Sequence, residues 1–185
     1  MTELEPFQFL SKIWPSPLLT NETLELKAIC RKNGAVSRTF SRSINEFIER
    51  ANSYSAGWDI YFGISTRFQN GGKKQDCYRV SYVWVDLDKT DKLPDFKKIE
   101  PSIIVKSGGG FHCYWLLDSP VVVRTGHIKE IEAVNRGLCT KFYGDKMAID
   151  ITRVLRVPGF NNYKYTPARK VTAHEYQSIQ RAGNL

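Results

Sequence analysis

Histidine is scarce in this chain of 185 residues: His112, His127 and His174 are the whole complement, and no two stand as an HxH pair. That argues against chemistry built on paired metal-binding histidines, including the rolling-circle type of nicking enzyme. Cysteine is equally sparse. Cys30, Cys77, Cys113 and Cys139 are widely scattered with no CxxC pair, which excludes a zinc knuckle and gives no disulfide framework. No apolar run approaches the roughly 18 residues that a membrane span needs. The opening MTELEPFQFL is acidic and lacks a basic segment followed by an apolar one, so no signal peptide is visible. Internal repeats and low-complexity segments are absent as well. The expectation is a soluble cytoplasmic protein with reduced thiols and no membrane partner.

What is present is enough apolar material for a packed interior, with 42% hydrophobic and 12% aromatic residues. The charge is skewed, 27 Lys+Arg against 19 Asp+Glu, giving +8. The excess is spread along the chain without a basic tail. It suits either a polyanionic partner or simple solubility.

Residues 4–14 read as a short helix ending before Pro15. TLELKAICRK and AVSRTFSR flank Asn33-Gly34, the signature of a two-residue hairpin turn. Ser43, with Glu46 three residues on, reads as a capping box opening an amphipathic helix. WDIYFGIST is a strand, FQNGGKKQD a polar loop, and VSYVWVDLD a second strand. SIIVKS and FHCYWLL are strands joined by Gly108-Gly109-Gly110, and residues 124–142 carry apolar positions at helical spacing. KVTAHEYQSIQ reads as a last strand running into a helix. The mixture, with mostly hairpin links, predicts an α+β fold with an antiparallel sheet. The whole of 1–185 reads as one domain, with a seam near residues 70–77 between an N-terminal lobe (1–75) and a second lobe (76–185).

Three segments carry the chemistry. In VSYVWVDLD the side chains alternate, so Trp84, Asp86 and Asp88 share one face. Two carboxylates about 7 Å apart along a strand are able to converge on one or two divalent cations, and oxygen ligands suit Mg²⁺ or Mn²⁺. Alternatively the strand ends at Val85 and the acids open a solvated turn. In IIVKSGGGFHCYW, Ser107 and His112 bracket three glycines beside Lys106, a group suited to hold a triphosphate. The other reading is a plain hairpin tip with His112 packed on the sheet. Asp150, ahead of Arg153 and Arg156, is either a third carboxylate or a salt-bridge partner. Lys164 is either a phosphate contact or one surface lysine among many.

Taken in order, DLD (Asp86, Asp88), SGGGFHCYW (Ser107–Trp115) and DITRVLRVPGFNNYK (Asp150–Lys164) resemble the catalytic core of the archaeo-eukaryotic primase superfamily, in its plasmid, phage and mobile-element branch. YFGISTRFQNGGKKQD resembles that branch's run into its first motif, and the likeness covers residues 24–170. The resemblance implies an RRM-like antiparallel sheet packed with helices beside an N-terminal α/β lobe. It implies a DNA primase–polymerase, binding DNA template and primer, using dNTP or NTP and two Mg²⁺ or Mn²⁺ ions, with a helicase or accessory domain elsewhere. Asp86, Asp88 and Asp150 match the family's catalytic metal-binding carboxylates. Ser107 and His112 match the groups that contact nucleotide phosphates, and Arg67 and Lys164 match its nucleotide-contacting basic residues. Nothing here has the ligand spacing of the zinc-binding stem found in some relatives. The alternative reading is an inactive replication-initiator or single-stranded-DNA-binding module on the same fold.

Overall fold

A computed structural model describes residues 2–123 and 126–176. In chain order the elements are β1 (Glu3–Leu4), α1 (Pro6–Ile13), β2 (Glu22–Cys30), β3 (Val36–Ser41), α2 (Ile44–Asn52), β4 (Trp58–Gly63) and β5 (Arg67–Phe68). β6 (Arg79–Asp88), β7 (Ile103–Lys106), β8 (Gly110–Val122) and α3 (Ile128–Phe142) follow. The chain then gives β9 (Val154–Arg156), β10 (Asn161–Asn162), β11 (Arg169–Lys170) and β12 (Thr172–Glu175). Single 3₁₀ turns lie at Lys74–Asp76 and Lys146–Ala148. The helix expected after the last strand falls outside the described residues.

Among the described residues all strand pairing is antiparallel, as the hairpin-rich pattern predicts. One sheet runs β1-β12-β7-β8-β6 and the other β3-β2-β4-β9, with β5 attached to β2 and β10-β11 forming a small ribbon. The expected seam is crossed in both directions. β9, from the second half of the chain, pairs with β4 through Tyr61↔Arg156, while β1 pairs with β12 through Leu4↔Ala173.

Period-2 alternation in β6 sorts its side chains between two cores. Tyr82 and Trp84, with Tyr114 of β8, face a cluster that includes Leu26, Phe62 and Phe9. Phe9 of α1 joins the sheets, its ring 5.6 Å from both Phe62 and Tyr114 in edge-on contact. Val85 and Leu87, with Cys113, face the other way onto Cys139 and Phe142 of α3. β6 is an edge strand, and an unpaired edge leaves backbone groups to be satisfied. Asn135 of α3 does so through its Oδ1, which accepts the Trp84 N–H at 3.0 Å.

Two local expectations are modified. The β2–β3 connection runs over five residues, Arg31–Ala35, with Gly34 at φ +74°. Arg31 is pulled out of the pairing toward β4, donating its N–H to Gly57 O at 2.9 Å and its guanidinium to Asp59. At α2, Ser43 Oγ accepts the Glu46 N–H as a cap should, but Glu46 reaches back to the Arg42 N–H at 2.7 Å.

Arg67 is fully buried in an ion pair with the equally buried Glu25 (2.6 Å from Nη2), while Nη1 meets Cys77 Sγ and Nη2 also reaches Thr152 O. Arg67→Ala would remove the buried partner of Glu25 and leave it only the half-exposed Arg38 at 2.9 Å, so we expect a loss of about 3 kcal/mol of folding stability in urea titration. A variant as stable as wild type would contradict this framework role.

Candidate active site

A cleft of about 490 Å³ is lined by strands of both sheets, β6 and β8 of one and β2, β3, β4 and β9 of the other. Its lining brings together Asp86, Asp88, His112, Asp150 and Lys164, adding Lys27, Arg38, Arg153 and Arg156 around Tyr61. Five cations thus surround three carboxylates. Ser107, Lys106 and Arg67 lie outside it. Lys106 follows Ile104 on the α3 face of the sheet, opposite Val105, whose Cα pairs with that of His112. Ser107 is buried, with its hydroxyl donating to Gly110 O at 3.1 Å and its carbonyl accepting from Asn162 Nδ2 at 2.8 Å. The glycine turn is therefore filled by the chain's own 161–169 segment, Arg169 also donating to Gly108 O at 2.7 Å. Gly110 is needed because any Cβ there would run into the Leu87 carbonyl.

Asp86 sits directly across from His112 in the β6–β8 register. It is only 7% exposed, and its Oδ1 is buried with no hydrogen-bond partner. Burial, then the charge of Asp88, pushes its pKa up to about 7. His112 Nε2 lies 3.8 Å from Asp86 Oδ1, beyond hydrogen-bond reach, and Nδ1 is 3.4 Å from the Tyr114 hydroxyl. Burial, with Arg156 and Arg153 nearby, pushes the imidazole down to about 3, so it is neutral at physiological pH.

The third acid beside the pair is Asp145. Oxygens of Asp86, Asp88 and Asp145 all lie within 4.8 Å of one another. Tyr143 ends α3 in the left-handed conformation (φ 58°), turning the chain back over β6. Gly144 passes so close that a Cβ would overlap Val85 and come within 3.1 Å of the Asp86 carbonyl. The Asp145 N–H then donates to that carbonyl at 2.7 Å. Asp150 lines the same cleft, but its Oδ1 accepts the Thr152 N–H and hydroxyl (2.8 and 2.5 Å) and its Oδ2 meets Lys74 at 3.4 Å. Partial burial raises its pKa, and the Thr152 hydrogen bonds and Lys74 more than reverse this, leaving it below the ordinary value.

A second buried carboxylate organises the cationic wall. Asp59 is fully buried, its Oδ2 accepting from Arg31 (2.6 and 2.8 Å) and Arg156 (2.9 Å), and its Oδ1 from the Tyr163 N–H at 2.7 Å. The Arg156 guanidinium also lies 5.0 Å over the Tyr61 ring. Burial alone would raise the Asp59 pKa; these donors hold it below its usual value.

The carboxylate group fits a divalent cation. Its donors are hard oxygens, and among the described residues the buried Asp86 Oδ1 finds no hydrogen-bond partner.

Comparison with known proteins agrees with this architecture. The AEP domain of the cyanophage S-2L primase-polymerase superposes with a TM-score of 0.65 at 17% identity, covering 84% of this chain and 82% of that one. The catalytic domain of primase RepB′ in complex with initiator DNA gives 0.59 at 19% identity, over 83% and 77%. The fold is that of the archaeo-eukaryotic primases. The profile of the RepB DNA-primase N-terminal domain matches residues 67–184, and the chain belongs to that family. A replication protein of Clostridium perfringens is 24% identical over 120 residues, which are 57% of this chain and 30% of that protein's length.

Because the folded pKa of Asp86 lies above its ordinary 3.8, its carboxyl stabilises the fold at low pH, and that contribution is lost as pH rises through about 7. In chelator, wild type should therefore lose folding stability in urea titration relative to Asp86→Asn between pH 5 and 8, by an amount on the order of a few kcal/mol. Parallel pH profiles for the two proteins would show instead that the buried charge is already compensated.

Proposed function

We propose that this chain is the catalytic core of a template-directed nucleotidyltransferase, a DNA primase–polymerase that joins an incoming nucleoside triphosphate to a 3′-hydroxyl. The observation that carries this reading is the meeting of Asp86, Asp88 and Asp145 at the mouth of a cation-lined cleft, with one Asp86 oxygen buried and unpartnered. Membership of the RepB primase family supports it, as does the neighbouring RepB′ structure, which holds initiator DNA.

In this reading Asp86, Asp88 and Asp145 hold the cations, with Asp150 as a fourth carboxylate at the cleft wall. Mg²⁺ or Mn²⁺ bound there would lower the pKa of the attacking hydroxyl and neutralise charge on the departing pyrophosphate. Arg38, Arg153, Arg156 and Lys164 bind the triphosphate and stabilise charge developing in transfer, so most catalysis by the chain is positioning and electrostatics. His112, neutral and buried behind Asp86, offers a hydrogen bond to a phosphate without competing as a charge. Asp59 is the positioning residue for Arg156 and, through the Tyr163 N–H, for the turn carrying Lys164.

Primer extension with Mg²⁺ or Mn²⁺ tests the proposal. Asp86→Ala should lower the rate at least about 10²-fold, since it removes an anionic ligand at the reacting centre; equal rates would end it. Asp145→Ala should fall with Asp86→Ala.

Asp59→Asn is expected to raise the nucleotide KM by about tenfold with a smaller change in kcat, because it loosens one phosphate-binding arginine, a loss of about 1.4 kcal/mol. An unchanged nucleotide KM would leave Asp59 a merely structural role.

A further inference from the structure

Among the described residues, the two most exposed large hydrophobic side chains are Tyr143 (92%) and Met147 (77%). They stand two positions on either side of Asp145. Both ride on backbone tied to the acid group. Tyr143 closes α3 with φ 58°, and Gly144 beneath it is packed on Val85 and the Asp86 carbonyl. On the other side, Asp145 Oδ1 accepts the Met147 N–H at 2.8 Å and caps the Lys146–Ala148 turn. Lys141 and Lys146 are exposed alongside. Asp145 itself is absent from the cleft lining and sits against β6, with Arg153 approaching it at 3.6 Å, whereas Arg38 of β3 and Arg156 of β9 belong to the other sheet, Arg156 held there by Asp59.

An exposed aromatic ring and thioether, rigidly mounted beside three carboxylates and flanked by lysines, need a partner that is apolar in one part and anionic in another. In-line phosphoryl transfer places the attacking hydroxyl and the departing pyrophosphate on opposite sides of the phosphorus. If the triphosphate takes Arg38, Arg156 and Lys164 on the far sheet's side of the cleft, the 3′-hydroxyl arrives from the Asp145 side. Resting on the nucleotidyl-transfer reading, we propose that Tyr143 and Met147 seat the 3′-terminal nucleotide of the strand being extended. Tyr143 stacks on the base, Met147 packs beside it, and Lys141 and Lys146 meet the strand's phosphates. Stacking on an aromatic face is tolerant of sequence, which suits a site that must accept each successive base.

The test uses single-stranded DNA carrying 2-aminopurine at its 3′ or its 5′ terminus, titrated with wild type, Tyr143→Phe, Tyr143→Ala and Met147→Ala. The 3′ probe should change fluorescence with wild type and Tyr143→Phe, and the 5′ probe should not. Tyr143→Ala should weaken strand binding by about tenfold while nucleotide binding and melting temperature stay at wild-type values. An equal 3′ response in Tyr143→Ala, a response confined to the 5′ probe, or no strand binding by wild type overturns the seat. Since binding is read directly, wild type that seats the 3′ end but extends no primer removes only the catalytic reading. Wild type that extends primer with a primer KM unaltered in Tyr143→Ala removes only the seat.

Discussion

The hydrogen bond from the Asp145 N–H to the Asp86 carbonyl holds the site together. β6 is an edge strand, and its outward backbone groups at Trp84 and Asp86 need partners once α3 covers them. Asn135 meets the first and Asp145 the second. The bond that completes the edge is also the one that brings a third carboxylate beside Asp86 and Asp88. Backbone satisfaction and assembly of the acid group are thus one event, and it depends on a residue without a side chain at position 144.

The site places opposite charges side by side without letting them cancel. Arg153 approaches Asp145 at 3.6 Å and Arg156 is held by Asp59, so the arginines are restrained at the edge of the cleft instead of collapsing onto Asp86. Asp59 matters here because it is fully buried and saturated with donors, which fixes where the Arg156 guanidinium stands. Lys27 and Lys164 face the same space, as does Arg38, which also pairs with the buried Glu25 at 2.9 Å. Such an arrangement favours a ligand that carries several negative charges and brings cations with it.

The α+β class, the hairpins, α2 and α3 were legible because each rests on local signals: period-2 alternation, a Ser–Glu cap, apolar spacing of 3.6. The shared face of Asp86 and Asp88 was legible for the same reason. Asp145 was not, since its place depends on a left-handed helix end and a close backbone crossing that only Tyr143-Gly144-Asp145 hints at. Asp59 gave a faint signal, a carboxylate inside an otherwise apolar strand, but its partner Arg156 lies 97 residues on. Arg67 matched a motif, yet its engagement by Glu25, 42 residues earlier, turns it into framework. The glycine turn was read correctly as a tight link, while the segment that occupies it comes from 161–169 and leaves no trace in the local sequence.

The exchange of β1 and β9 between the two sheets has a bearing on how the molecule is made. β4 has its second neighbour only when residues 154–156 arrive, and β12 is flanked only when it meets residues 3–4. Contacts of such sequence separation are slow to close, because the intervening loop entropy is lost before any pairing rewards it. Each half of the chain thus lends a strand to the other's sheet, and the walls of the groove between them are complete only once these distant pairings close.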